Sequence, residues 1–483
     1  MDMADVAVVW FRRDLRVHDN PTLQRALEEN DRVVPLYTFE PGLFGARSRW
    51  IDEPRIGRRR ARFVRESVQD LRQRMHERDG ELLVRHGDPG SVVPAVAESV
   101  DADAVHAQRL PGTEERRTAS AVESELESVG VDLTTHWTHT LHAIEDLPTA
   151  IEHVQDTFTP WKDSVEANSS VPEPLAPPES VPTPDMDGGS IPTLSELGYD
   201  ERTDDTPGDD TPMPVPGGES AALERLQTYI FERDRLREYR ETRNGLLGMD
   251  FSSKFSPWLA QGCLSPRRVK RAVDRYERER VSNDSTYWLV FELRWRDFFQ
   301  FQLAKHGDAY FTPGGIQDRE IVWNRDETAF RRWADGETGF PFVDAAMREL
   351  AATGYQSNRA RQNAASFLAN TLRIDWRWGA AYYESSLLDY DVASNYGNWA
   401  YVAGVGTDSR DRAFDVLWQA HNYDPDAEYV RHWVPELADL PPRYAHEPWR
   451  MDADEQARYG VELRVEYPEP IVDPNMHFDG PSS

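Results

Sequence analysis

A chain of 483 residues has room for two or three packed domains. Its 85 Asp and Glu oppose 55 Lys and Arg, a formal net charge of −30 that argues against coating nucleic acid by bulk charge while leaving room for a local arginine-lined patch. The single cysteine, Cys263, excludes an intrachain disulfide, a Cys-ligated iron–sulfur cluster and a cysteine-rich zinc site, and no metal is expected.

Only four of the cations are lysines: Lys162, Lys254, Lys270 and Lys305. Abundant carboxylate with so little lysine suits solubility in concentrated salt, where self-repulsion is screened, so a halophilic, reducing cytoplasm is the expected setting. The start, MDMADVAVVWFRRDLR, lacks the basic segment, apolar run and cleavage site of a signal peptide, and no later stretch is long enough to span a bilayer. A soluble, cytoplasmic, monomeric protein with no membrane partner is expected.

In chain order, Val6 to Phe11 is a short apolar run, followed by charged RRDLRVHDN and a helix beginning near Pro21. Val33 to Phe39 repeats the strand pattern, a helix follows over about 57–78, and Glu81 to Arg85 and Ala104 to Ala107 continue the alternation. Alternating strands and helices predict an α/β domain over 1–139, a doubly wound parallel sheet covered on both faces. No GxGxxG follows the first strand, so a dinucleotide site of that kind is not expected.

From 140 to 218, Pro, Glu, Asp, Ser and Thr dominate, and no basic residue lies between Lys162 and Arg202. Such a segment buries too little apolar surface to pack as a domain, so a long surface connector is expected, partly ordered by Ile191 to Leu197. An all-helical domain is predicted over 219–450, with helices at Ala221 to Arg237 and Ser285 to His306, then a short tail over 451–483.

Four stretches of the helical half carry chemistry. In DFSSKFSPWLAQG, Ser252, Ser253, Lys254 and Ser256 precede a helix that Pro257 can open; hydroxyls, N–H groups and the lysine can cradle a diphosphate, although plain helix capping uses the same serines. In TYWLVFELRWRDFF, Trp288, Glu292, Trp295 and Phe299 fall at steps of four, three and four, an aromatic face with a carboxyl in its middle. That face suits a site for bases; the alternative is a core acid paired with an arginine such as Arg296. In SNRARQNAASFLAN, Asn358, Arg361 and Gln362 share a face, a wall of a pocket or a solvated first turn. In LLDYDVASNYGNWAYVAGVG, Asp389, Asp391 and Asn395 suit a flat polar heterocycle, or Asp389 and Asp391 cap a helix and Asn395 forms a turn. Among 15 tryptophans, Trp323, Trp376 and Trp399 lie near these stretches.

Taken together, VVWFRRDLRVHDNPTL, SSKFSPWLAQGCLSPR, FELRWRDFFQF, TGFPFVDAAMREL, NRARQNAASFLAN and LLDYDVASNYGNW resemble the photolyase and cryptochrome flavoproteins. YRETRNGLLGMDFSSKFSPW, NDSTYWLVFELRWRD, SNYGNWAY and AHNYDPDAEYV look most like the DASH cryptochromes. The resemblance implies an antenna-type α/β domain, a long linker and a helical FAD-binding domain. It implies that Tyr239, Ser252, Ser253, Lys254, Phe255 and Ser256 hold the diphosphate and ribityl chain, that Asp389 and Asp391 meet the flavin edge with Arg361 paired to Asp389, and that Asn395 faces flavin N5. Trp399, Trp376 and Trp323 match an electron relay. Glu292, Trp295, Asn358 and Gln419 match residues that receive a flipped pyrimidine dimer, and Arg243 and Arg359 lie where DNA phosphates are expected.

Gln362 stands where duplex-repairing relatives carry Met, and Tyr401 where they carry a second Trp. Both changes weaken stacking on an extruded dimer, so light-driven repair of cyclobutane pyrimidine dimers in single-stranded DNA is the implied activity. A blue-light photoreceptor is the alternative, and duplex repair stands behind both. A (6-4) photolyase is disfavoured because YQSNRARQ lacks the His pair of those enzymes. Glu114 and Glu115 sit where a folate-contacting acid would lie, so methenyltetrahydrofolate is the expected antenna.

Overall fold

The apolar runs of the amino-terminal third form one parallel sheet in the computed structural model, which describes residues 5–200, 215–408 and 413–475. Its strands are β1 (Val6–Phe11), β2 (Arg32–Phe39), β3 (Leu83–His86), β4 (Ala104–Gln108) and β5 (Asp132–His136), in the spatial order β3-β2-β1-β4-β5. The central strand is buried throughout, as its unbroken apolar sequence requires, and Val8 pairs Val34 on one side and Val105 on the other. The edge strand β5 escapes sequence reading because DLTTH is polar and mostly exposed.

Helices α1 (Pro21–Glu29), α2 (Arg58–His76), α3 (Pro89–Ser99) and α4 (Thr113–Ser128) cover the sheet. Strand alternation sorts them: Val6, Val8 and Trp10 pack with α3 and α4, whereas Ala7, Val9 and Phe11 pack with α1 and α2. The second of these cores runs on without a break into Tyr229, Trp258 and Leu289 of the helical half, which fixes the two halves against each other.

The acidic segment is more than a surface connector. Helix α5 (Phe158–Asn168) buries Phe158, Trp161 and Val165 in the helical core, while Val181 and Leu197 pack against the sheet domain. Three apolar residues at helical spacing suffice to dock one helix in an otherwise polar stretch.

The helical half includes α6 (Glu219–Gln227), α7 (Tyr239–Thr242), α8 (Ser256–Ala260), α9 (Pro266–Glu279), α10 (Asp284–His306), α11 (Glu327–Ala334), α12 (Pro341–Thr353), α13 (Asn358–Ser366), α14 (Trp376–Ser386), α15 (Val392–Val402), α16 (Val416–Tyr423), α17 (Glu428–Trp433), α18 (Pro442–His446) and α19 (Ala453–Tyr459). The helix expected to run to Arg237 instead ends in a wide turn at Thr228–Glu232, with Asp234 in the left-handed region at φ 54°. A capping box between Asn283 and Thr286 starts α10. Helix α15 lies against both α10 and α14. Glycines permit the approach: a Cβ on Gly397 would stand 2.4 Å from Phe299 Cδ1, and one on Gly379 2.2 Å from Trp399 Cη2. The expected tail also docks, since Tyr467 is buried and its hydroxyl donates to Asp344. Among the described residues no helix is long and apolar enough to cross a membrane.

Candidate functional site

The four chemistry-bearing stretches converge on one cavity of about 570 Å³. Trp288, Glu292, Trp295 and Phe299 line it from α10, as their spacing predicts, and Asn358 and Gln362 face them from α13. Tyr239 and the run from Ser252 to Ser256 close one end, and Asp389, Asp391 and Tyr401 another. A pocket of about 90 Å³ shares Asn358, Gln362, Asp389 and Asp391 and adds Arg361, Asn395 and Trp399.

Two buried polar atoms of the cavity lining have no hydrogen-bond partner among the described residues, Lys254 Nζ and Asp389 Oδ1. Lys254 holds a left-handed backbone at φ 59° and lies over the rings of Phe251 and Tyr355 at 3.3 and 4.1 Å. Burial pushes its amine well below its ordinary pKa. Behind it, burial raises the Glu349 carboxyl to about 7 even though it accepts from the Tyr429 hydroxyl at 2.6 Å. A buried amine without a protein acceptor, in a cavity that Ser252, Ser253 and Ser256 also line, is what an incoming diphosphate would satisfy and hold in its charged form. The other oxygen of Asp389 takes Arg361 at 2.8 Å, the pair expected from sequence.

Asp391 meets both of its readings. Its Oδ1 accepts from Ser394 N at 2.8 Å and caps α15, while Oδ2 accepts from Gln300 Nε2 at 2.8 Å. Burial would raise its pKa, but Arg296, the Ser394 N–H and Arg13 outweigh that and hold it below its ordinary value. Asn395 donates to the Ala380 carbonyl at 2.9 Å, which orients its amide toward the pocket it lines.

Glu292 is paired, but with Arg243 rather than Arg296. Arg243, expected at a DNA phosphate, lies in the cavity over the Trp288 ring at 4.6 Å, while Arg296 reaches the carbonyls of His139 and Leu259. Burial raises the Glu292 pKa and Arg243 offsets part of the rise. Trp295 is braced by Phe158, stacked at 3.6 Å and 7°, and meets Tyr401 edge-on at 6.4 Å. Arg359 and Gln419 stay outside the lining: Arg359 donates to Gln362 Oε1 at 3.1 Å, lies 3.5 Å from Gln419 Oε1 and stacks on Tyr423.

Of the three indoles, Trp399 reaches the smaller pocket and rests on Gly379, one helical turn from Trp376. Trp376 and the partly exposed Trp323 both donate to the Pro313 carbonyl, at 3.2 and 3.1 Å. Sequence reasoning missed Trp333 and Tyr383, whose rings stand 6.1 and 5.1 Å from Trp399. It also missed a cavity of about 740 Å³ between the two halves, at the carboxyl ends of β1, β2 and β4. The signal was present in RRDLR after β1, because strand order reverses between β1 and β4 and such switch points open crevices. Glu114 and Glu115 do line it, paired with Arg55 at 2.6 Å and Arg13 at 3.2 Å.

Comparison with known proteins agrees with this geometry. The family model described as DNA photolyase matches residues 7–182, and that described as the FAD binding domain of DNA photolyase matches residues 288–478. A protein named Cryptochrome DASH from Natronomonas pharaonis is 58% identical over 475 residues, covering 98% of this chain and 99% of that one. The crystal structure of a cryptochrome from Synechocystis sp. superimposes with a TM-score of 0.93 at 42% identity, covering 98% of each chain. That of a bacterial class III photolyase from Agrobacterium tumefaciens gives 0.85 at 30% identity, covering 98% of this chain and 95% of that one.

Proposed function

The chain belongs to the photolyase and cryptochrome family, and within it to the DASH cryptochromes, and from that premise we propose that it is an FAD-dependent enzyme that uses blue light to revert cyclobutane pyrimidine dimers, preferentially in single-stranded DNA. One observation carries the proposal: the polar cradle around Lys254 and Asp389 and the aromatic wall of Trp288, Glu292 and Trp295 line the same cavity. A cofactor held by the first would lie against a pyrimidine dimer held by the second.

FAD, when bound and reduced, would supply the electron that opens the two cyclobutane C–C bonds under light, and would regain it afterwards, so that nothing is consumed. Ser252, Ser253, Ser256 and Lys254 would hold the diphosphate, with Tyr239 and Phe255 packing along the chain that joins it to the ring. Arg361 fixes Asp389, and Gln300 with the α15 N–H groups fixes Asp391, so both carboxylates can accept ring-edge donors without moving. Asn395 would meet flavin N5. Trp399, Trp376 and Trp323 would bring in the electron that reduces the cofactor.

On the substrate side, Glu292, raised by burial, would share hydrogen bonds with the pyrimidine carbonyl and imide groups once Arg243 swings to a phosphate. Trp295 supplies the stacking face, with Asn358 and Gln419 as polar contacts and Arg359 as a second phosphate ligand. Tyr401 and Gln362 offer less stacking than Trp and Met, at a cost of about 1–3 kcal/mol per lost contact. Extruding a dimer from a duplex costs a few kcal/mol more than from a single strand, hence the preference.

The interdomain cavity fits the second proposed cofactor, methenyltetrahydrofolate. Glu114 and Glu115 can accept from the pterin ring, and Arg12, Arg13 and Arg55 can take the carboxylates of its glutamate tail. The indole path to partly exposed Trp323 keeps a photoreceptor as the second reading.

The test is light-dependent repair of one defined dimer in single strand, bubble and duplex at matched salt. Repair should fall in that order, and Tyr401→Trp with Gln362→Met should recover part of the duplex activity. Equal repair of all three would refute the strand preference.

A further inference from the structure

Among the described residues only two Phe, Tyr or Trp side chains are exposed, Tyr287 at 42% and Trp418 at 56%, and each adjoins residues assigned to the dimer site. Tyr287 immediately precedes Trp288 of the α10 wall. Trp418 immediately precedes Gln419, which approaches Arg359 and through it Gln362 of the opposite wall. A scattered exposed aromatic needs no explanation, but the only two among the described residues do, since the Tyr287 ring stands 6.0 Å from Phe291 of the cavity lining and Trp418 adjoins Gln419, whose partner Arg359 meets Asn244 and Gln362 of that lining.

We propose that Trp418 and Tyr287 are stacking platforms for the unpaired bases that flank the dimer, one on each side, so that the protein selects single strands by gripping their neighbouring bases as well as by sparing the cost of extrusion. The proposal rests on the repair reading above and adds two specificity-determining residues to it. Stacking of a base on an exposed aromatic ring is indifferent to sequence, because every base has a π face, and it combines with nearby arginine–phosphate contacts. A dimer seated in the cavity leaves its 5′ and 3′ neighbours at the mouth. In a single strand those bases are free to fall onto the rings; in a duplex they stay stacked and paired, so the platforms favour one strand over two. Tyr287 is held in place by its hydroxyl contact to Glu166 at 3.1 Å, and Trp418 by its place in the first turn of α16, where its N–H is capped by Asp415 at 2.9 Å.

The experiment uses the full-length FAD-loaded protein and four ligands: a single strand with a central dimer, the same strand with abasic residues on both sides of the dimer, the bare dimer dinucleotide, and an undamaged single strand. Affinity is read by competition, and KM and kcat of repair are read separately. Trp418→Ala should weaken binding of both intact strands about tenfold and raise KM without lowering kcat, with a smaller loss for Tyr287→Ala. Trp418→Phe should restore most of the affinity. Neither alanine variant should alter binding of the dinucleotide or the strand with abasic flanks. The inference is overturned if Trp418→Ala binds both intact strands like the wild type, or if it weakens the dinucleotide equally. A wild type that binds strands but repairs none would contradict the repair reading alone, because dependence on Trp418 is still read from undamaged strand.

Discussion

Lys254 joins the stability of the empty site to the binding of its ligand. A buried amine without an acceptor destabilises the protein that carries it, and an incoming diphosphate removes the penalty. Lys254→Met should therefore raise the melting temperature of FAD-free protein while weakening FAD retention about tenfold or more. A variant that loses stability and still retains FAD would show that the lysine belongs to the scaffold. Glu349, just behind it, makes stability depend on pH. Its folded pKa of about 7 lies above the usual carboxyl value, so the native state keeps a proton that the unfolded chain has released. Stability should fall as pH rises from about 4.5 through 7, and Glu349→Gln should flatten the fall. It should not abolish it, because Asp297 is raised to about 7 by the same burial. Thermal melts of both proteins between pH 5 and 8 check this. At this scale the motifs were legible and the pairings less so. Arg361 with Asp389 follows from matched motifs, but Arg243 closing on Glu292 depends on how α7 crosses α10, which no local pattern encodes.

Elements were legible where one period dominates. The central strand β1 is an unbroken apolar run, and α10 carries its own capping box. Helix α5 was hidden because its three apolar residues sit in a stretch whose average composition argues against packing. Its packing has a measurable consequence. Phe158 stacks on Trp295 and meets Phe291 and Phe298 edge-on, so the connector braces the wall that would receive the substrate. Phe158→Ala should cost about 3–5 kcal/mol in denaturant unfolding. A loss within about 0.5 kcal/mol, the ordinary effect of a surface substitution, would mean that α5 does not dock. The interdomain cavity, by contrast, opens where strand order reverses between β1 and β4, and that order is set by long-range pairing that no local pattern encodes.

For the whole molecule, a net charge of −30 and the arginines proposed to hold phosphate, Arg243 and Arg359, pull in opposite directions as salt changes. Salt screens self-repulsion among 85 acids, yet it weakens phosphate contacts through counterion release. The proposed grip on bases through Trp418 and Tyr287 would weaken less with salt than phosphate contacts alone, because stacking is not screened. The proposed function rests on one cavity that is lined by both the polar cradle around Lys254 and Asp389 and the aromatic wall of α10. The direct measurement is loss of a defined cyclobutane dimer from a single strand, under blue light and in the dark, by FAD-loaded protein reduced chemically beforehand. Wild type and Trp399→Phe should repair equally in the light and not at all in the dark, since the indole path serves only to load the electron. No repair by either protein, with reduced FAD bound and the strand bound, would contradict the enzyme and leave the photoreceptor.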